Sequence, residues 1–388
     1  MNIVVFGAGE MGKAICTYFL KFQKIESLTL IDINSSQLKR ASENLSRYVC
    51  IDKLILNNSD NIEEIISACN IVFAAVPWQA HAEIINLVCQ YDKPMLSVTR
   101  PNYSEISKLE NQLQKMVNPV VVGCGLEPGL TEIMALYCAN LFDHLDELHI
   151  KCGGITRIPS DNIFKHKTLF GTRYLPISMR DAYTIKNKKK IKIARFSDAE
   201  EIDILNLGKL EAWHDGMVPW LYKYPEIASA HTVTQKTLRW PGFSETVNQL
   251  DRLGLLSEEQ IQIGEIALSP KQFLEYFYEH DVKLNNDNNV SLLKIIATGK
   301  HKKNNMKKVF LSLIATNRTD MGLNSMAFIT GFSVSLIGVM LLQGKINEHG
   351  FVRPEKIICG EPCNFLMESL KSFGIEISIN TGIYSDKS

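Results

Sequence analysis

Near the start of the chain an apolar run, residues 3–6, leads directly into Gly7-Ala-Gly9-Glu10-Met11-Gly12 and then into a helix-patterned stretch, 13–20. A strand, a G-x-G-x-x-G turn and a helix in that order constrain the fold strongly, because each glycine answers a separate steric demand. Gly7 makes the tight turn, Gly9 lets the backbone approach a pyrophosphate, and Gly12 lets the helix pack closely on the strand. The phosphates then fall on the unpaired amides of the helix N-terminus, at Glu10 and Met11. A second strand-like run, 28–31, ends in Asp32, where the dinucleotide fingerprint calls for an acid about twenty residues on. A carboxylate there accepts from ribose hydroxyls and repels a 2′-phosphate, so NAD is expected in preference to NADP. Lys39 and Arg40 fall on the next helix and are expected to face solvent, while Asn34, Ser35 and Ser36 keep a phosphate-binding reading open.

Strand and helix patterns go on alternating. Helices are expected over 35–48, 61–69, 79–91 and 103–117, and strands over 53–57, 70–77, 94–99 and 119–124. Strands separated by helix-length segments pair in parallel through right-handed crossovers, so residues 1–125 predict an α/β, Rossmann-type doubly wound sheet. Its ligand lies outside the carboxyl ends of the strands. Val76 and Pro77 are the expected cofactor contacts there, with Trp78, Thr99, Arg100 and Gly125-Leu-Glu-Pro-Gly129 close by. Ending a strand explains any one of these residues equally well.

Residues 126–320 change character and predict a second, α+β domain of mainly antiparallel sheet. Residues 183–193 read as two strands around a lysine-rich turn, and 291–298 with 307–316 as a second hairpin of the same style. These basic turns are expected to be solvated rather than to bind polyanions. Residues 321–388 are expected to pack back on the first domain. Within them, 326–343 is nearly long enough to cross a bilayer, but Thr330, Ser333, Ser335 and its glycines suit a helix buried between layers better.

Lys plus Arg equals Asp plus Glu at 42 each, so no global field favours nucleic acid or an anionic membrane. The first residues already belong to a strand, which leaves no room for a signal peptide and predicts a cytoplasmic protein. The nine cysteines lack paired spacing and read as reduced thiols. Cys359 and Cys363 are the one close pair, and no metal site is expected there.

Two stretches of the second domain carry chemistry. Glu211-Ala-Trp-His214-Asp215-Gly216 joins an imidazole and a carboxylate before a glycine turn. Lys236-Thr-Leu-Arg239-Trp-Pro-Gly242 sets two cations on a strand-like segment. Arg239 suits a bidentate grip on a substrate carboxylate, helped by Lys236. His214 or Asp215 suits proton transfer at an amine during hydride transfer. The same residue types also serve as a turn-capping histidine and a structural ion pair.

These motifs occur in an ordered set: GAGEMG at 7–12, GCGLEPG at 123–129, CGGI at 152–155, EAWHDG at 211–216, KTLRWPG at 236–242 and the late helix. Together they resemble the saccharopine dehydrogenase-like family, and within it the lysine 6-dehydrogenase branch. The resemblance spans essentially the whole chain. It implies a Rossmann domain with an inserted α+β domain, NAD or NADP as cofactor, an amino-acid substrate and a homodimer. It also implies oxidation of the side-chain amine of lysine, or alternatively of a secondary amine such as saccharopine or carboxynorspermidine. Three carboxylates on saccharopine would call on further cations, among them Arg157, Arg173, Arg180 and Arg195; Arg173 and Tyr174 are lesser catalytic candidates. Phe243 stands where relatives commonly have histidine, and His214-Asp215 where they tend to have threonine before a glycine. A nucleotide-binding regulatory protein without turnover is the reading from another class.

Overall fold

The computed structural model describes residues 1–46, 54–57, 61–170, 177, 179, 182–204, 206–216, 218, 220–284, 288–301 and 305–384. Two units emerge, Met1–Tyr137 with Arg318–Glu376, and Cys138–Asn317 with Ile377–Ser388.

In the first unit six strands follow in chain order: β1 (Asn2–Phe6), β2 (Ser27–Ile31), β3 (Leu54–Asn57), β4 (Ile71–Ala74), β5 (Met95–Ser97) and β6 (Pro119–Val122). They pair in parallel in the order β6-β5-β4-β1-β2-β3, and the strand Gly350–Val352 adds itself beyond β6. Alternation along each strand divides the core between the two faces of the sheet. Val4, Phe6, Val72, Ala74, Val120 and Val122 share one cluster with Ile66, Ile84, Val88 and Leu109, which come from the helices Ile62–Ala68, His81–Gln90 and Ile106–Leu113. On the other face, Phe73 meets Phe19 of the helix Glu10–Phe22, ring centroids 5.1 Å apart.

That second layer also holds the helix Ser325–Leu342, the one long apolar helix among the described residues, which is 89% buried. Two glycines let it in. A Cβ on Gly331 would stand 2.5 Å from Ala14 Cβ, and one on Gly338 would stand 2.5 Å from Phe73 Cζ. Two of its hydroxyls are satisfied inside the helix, Ser333 Oγ donating to Ile329 O and Ser335 Oγ to Gly331 O, while Thr330 Oγ1 accepts from Leu126 N–H at 3.4 Å. The expected buried helix is present, for that reason.

The second unit is built on β7 (His144–Thr156), β8 (Ala182–Lys186), β9 (Lys189–Ile193), β10 (Glu200–Ile204), β11 (Gly208–His214), β12 (Thr232–Arg239), β15 (Asn289–His301) and β16 (Asn305–Thr316), with a separate small hairpin of β13 (Ile261–Ile263) and β14 (Ile266–Leu268). The large sheet runs β10-β11-β12-β7-β15-β16, with β8 and β9 branching from β12. Only β12 with β7 is parallel among the registered pairs of this sheet. The strands of both expected hairpins pair, and residues 302–304 in the turn of the second lie outside the described residues. In the first, Asn187 and Lys188 take the positive φ values, 52° and 61°, of a tight hairpin turn. The final strand, Glu376–Tyr384, joins β16.

Candidate functional site

The glycine turn of the first unit has the steric layout its sequence implies. Gly7 adopts φ +97°, and a Cβ there would sit 2.5 Å from Ala75 O; one on Gly12 would sit 1.7 Å from Gly7 O. Gly9 differs from both, because a Cβ on it would meet nothing within 4 Å. Gly9 is the N-cap of the helix Glu10–Phe22, and no side chain caps that end. The approach to Gly9 is thus open at an uncapped helix start, the arrangement that receives a phosphate. Glu10 is held by Lys13, Nζ to Oε1 2.9 Å, and Asn324 Nδ2 donates to its Oε2 at 3.3 Å. Met11 lies half-buried beside it.

Asp32 follows β2 and closes on the same turn: Ala8 N–H donates to its Oδ2 at 2.7 Å and Asn34 N–H to its Oδ1 at 2.8 Å. Ile33, next to it, is 86% exposed. Asn34 caps the helix Ser35–Leu45 with its own side chain, taking the amides of Ser36 and Gln37. Those two amides are thereby used.

Across the switch point between β1 and β4, Val76 and Pro77 follow β4, and Val76 Cγ1 lies 3.0 Å from the absent Cβ of Gly7. His81 packs behind them. Its ring is 1% exposed and stacks on Trp78, centroids 4.5 Å apart. Nδ1 is 3.2 Å from Pro77 O, and Nε2 is 2.7 Å from Ser97 Oγ and 3.3 Å from Thr99 Oγ1. Burial pulls the imidazole down to about 4, so it is neutral at physiological pH. After β6, the turn Gly123–Gly129 contains a cis Glu127–Pro128 peptide, with Glu127 exposed. Behind that turn Glu132 is fully buried; Gly129 N–H and Thr131 Oγ1 donate to its Oε2 at 2.5 and 2.7 Å.

In the second unit the pleat separates the four residues proposed to carry the chemistry. His214 on β11 lies opposite Lys236 on β12, and Lys236 opposite Lys151 on β7. These share one face of the sheet. Glu200 joins both lysines, 3.0 Å from Lys151 Nζ and 3.1 Å from Lys236 Nζ, and Lys236 also donates to Asp198 O at 2.7 Å. His214 Nε2 is 3.6 Å from Asp198 Oδ2. Burial, then the Lys236 charge, lowers the imidazole below its ordinary value.

Thr237, Arg239, Trp213 and Glu211 face the other way. Asp215 belongs with them, accepting from Thr237 Oγ1 at 2.7 Å and from Arg195 Nε. Arg195 lies over the rings of Phe196 and Trp213. Arg239 lies over Phe243, its Nη1 donating to Leu238 O at 2.8 Å. Gly153 makes the space, since a Cβ there would stand 3.1 Å from Arg239 Nη1. Glu211 accepts from the amides of Gly242 and Ser244 and so caps the helix Phe243–Arg252. His214 and Lys236 thus form one cluster, and Asp215 and Arg239 another. Arg157 is exposed, and Arg173, Tyr174 and Arg180 lie outside the described residues. A cavity of about 400 Å³ lined by Phe196, Asp198, Glu245, Asn248 and Arg252, among others, contains none of the expected site residues. Among the described residues no group of three or more His, Cys, Asp or Glu is arranged to hold a metal.

Comparison with known proteins adds to this geometry. The family profile described as saccharopine dehydrogenase C-terminal domain matches residues 125–375, and one described as NADP oxidoreductase, coenzyme F420-dependent, matches residues 2–101. The chain is 23% identical over 272 residues to rat mitochondrial alpha-aminoadipic semialdehyde synthase, a match covering 66% of this chain and 29% of that protein. It therefore spans under a third of the length of that relative. Carboxyaminopropylagmatine dehydrogenase of Synechocystis sp. is 20% identical over 384 residues, 92% of each chain. Among solved structures, apo saccharopine dehydrogenase (L-Glu forming) from Saccharomyces cerevisiae shares the fold with a TM-score of 0.81 at 16% identity, over 98% of this chain and 99% of that one. The homospermidine synthase of Legionella pneumophila, solved with NAD, gives 0.64 at 13% identity, over 99% and 91%. With a profile match over more than half its length and the uncapped glycine turn in front of it, the chain belongs to the saccharopine dehydrogenase family of pyridine-nucleotide-binding oxidoreductases.

Proposed function

We propose that this chain is an NAD-preferring dehydrogenase that oxidises a C–N bond in a secondary amine carrying an amino-acid end. One observation carries the cofactor half: the uncapped amides at Gly9 lie beside Asp32, whose carboxylate closes on the same turn. The profile over residues 2–101 is described by NADP. Two features of this chain favour NAD instead. Asp32 repels a 2′-phosphate, and Asn34 already occupies the Ser36 and Gln37 amides that a phosphate would need.

The substrate class is supported by the relative named carboxyaminopropylagmatine dehydrogenase, which aligns over 92% of both chains. That name describes an amino-acid end joined through nitrogen to a second chain. Oxidation of the side-chain amine of lysine, suggested by the order of motifs, is the alternative that the same assay separates.

A nicotinamide held at this turn would supply the hydride acceptor for the carbon next to nitrogen. The protein's part is to clamp the carboxylate and accept a proton. Arg239 is assigned the carboxylate, as the cation for which Gly153 leaves room. Asp215, on the same face, is assigned the proton. Lys236 and His214 are assigned to the ion-pair network around Glu200 and Asp198. The deciding experiment measures NADH formation near pH 9 with lysine, ornithine, saccharopine, carboxynorspermidine and carboxyaminopropylagmatine. Turnover of lysine alone returns the chain to the lysine 6-dehydrogenase branch. Arg239→Ala is expected to raise KM for the true substrate about tenfold or more with a smaller change in kcat. Unchanged kinetics would remove Arg239 from the site.

A further inference from the structure

We infer that His81 is a positioning residue that fixes the rim on which the nicotinamide half of the dinucleotide rests, an inference that depends on the nucleotide reading above. A dinucleotide crosses the switch point between β1 and β4, with the acid after β2 on its adenosine side. The remaining half then falls at the carboxyl ends of β4 and β5. There the two strands stop supporting one another. Their register ends at Ala74 with Ser97, and Val98 N–H makes one more bond, to Ala74 O at 3.2 Å.

Beyond that point one imidazole bonds to both loops. A carbonyl only accepts, so Nδ1 carries the hydrogen donated to Pro77 O, and Nε2 is left to accept from the Ser97 hydroxyl. Ser97 Oγ in turn receives Thr99 N–H at 3.1 Å, and Thr99 Oγ1 lies 3.3 Å from Val76 O. Val76–Pro77 and Ser97–Thr99 are thereby tied into one polar network. At 1% exposure His81 itself is closed to any ligand, so its action runs through the loops it joins.

The two halves of the ligand separate this role from a general loss of structure. Wild type, His81→Ala, His81→Asn and Ser97→Ala are titrated with NADH and with ADP-ribose, which lacks the nicotinamide ring, and each variant is melted in parallel. Asparagine retains a donor near the Nδ1 position. The expected result is about tenfold weaker NADH binding in His81→Ala and Ser97→Ala, with ADP-ribose within twofold of wild type and partial recovery in His81→Asn. Equal weakening of both ligands, or of neither, overturns the inference. Should His81→Ala fail to fold, Ser97→Ala and His81→Asn carry the same comparison. Wild type that binds neither ligand overturns the nucleotide reading itself, a result distinct from failure at His81 alone.

Discussion

Glu132 shows how far a single residue can depart from its type. Its carboxyl is buried, Oε2 accepts two hydrogen bonds and Oε1 has none, so the proton belongs on Oε1. Burial is the main cause that raises its pKa to about 8, with Glu127 and Glu355 adding to it. A carboxyl raised in the folded state binds its proton more tightly there than in the unfolded chain. Its contribution is therefore complete below the ordinary carboxylate range and is lost as pH rises through about 8. Wild-type stability is expected to fall between pH 5 and 9, and Glu132→Gln to flatten that decline by on the order of 3 kcal/mol. Denaturant melts at pH 5, 7 and 9 check this, and parallel curves for the two proteins would sink it. The signal for Glu132 in the sequence was a lone acid in an apolar helix, Leu130–Ala139. Asp32 was far easier to read, because the glycine fingerprint fixes where an acid must fall.

Between elements, periodicity decides which side chains meet. Lys236 and Arg239 stand three apart on a strand, which puts them on opposite faces. That spacing was legible in the sequence; the contact of Lys236 with Glu200 was not, because it needs the register of three strands. Glycine positions give a sharper test of the same idea. Gly12→Ala drives a Cβ into the Gly7 carbonyl, a backbone atom that cannot swing aside, so a loss of several kcal/mol or of folding is expected. Gly9→Ala meets nothing in the protein and is expected to melt like wild type while binding NADH at least tenfold more weakly. Measuring melting and NADH binding on both variants distinguishes a packing glycine from a ligand-approach glycine. Normal NADH affinity in Gly9→Ala would refute the latter role.

At the scale of the whole molecule, the alternation of strands and helices made the parallel sheet readable from sequence. Among the strands that escaped notice are two short or late ones. Gly350–Val352 spans three residues, too few for a pattern, and Glu376–Tyr384 followed a long helical stretch that masked its alternation. NADH should act on one unit alone. If the units melt separately, saturating NADH at a hundred times its Kd is expected to stabilise the transition of the first by about 2.7 kcal/mol and to leave the second unmoved. Calorimetry with and without ligand reads both, and a shift of the second transition by itself would move the nucleotide site to the wrong unit.

The helix Ser325–Leu342 lies against Ala14 and Phe73, yet the ribosome makes it only after residues 138–317 of the other unit. At about 5–20 residues per second, that insertion takes roughly 10–35 s to synthesise. For that interval the newborn first unit shows an uncovered apolar groove. The order of synthesis thus sets a waiting period in which a chaperone, or a misplaced apolar segment, competes with a helix that does not yet exist.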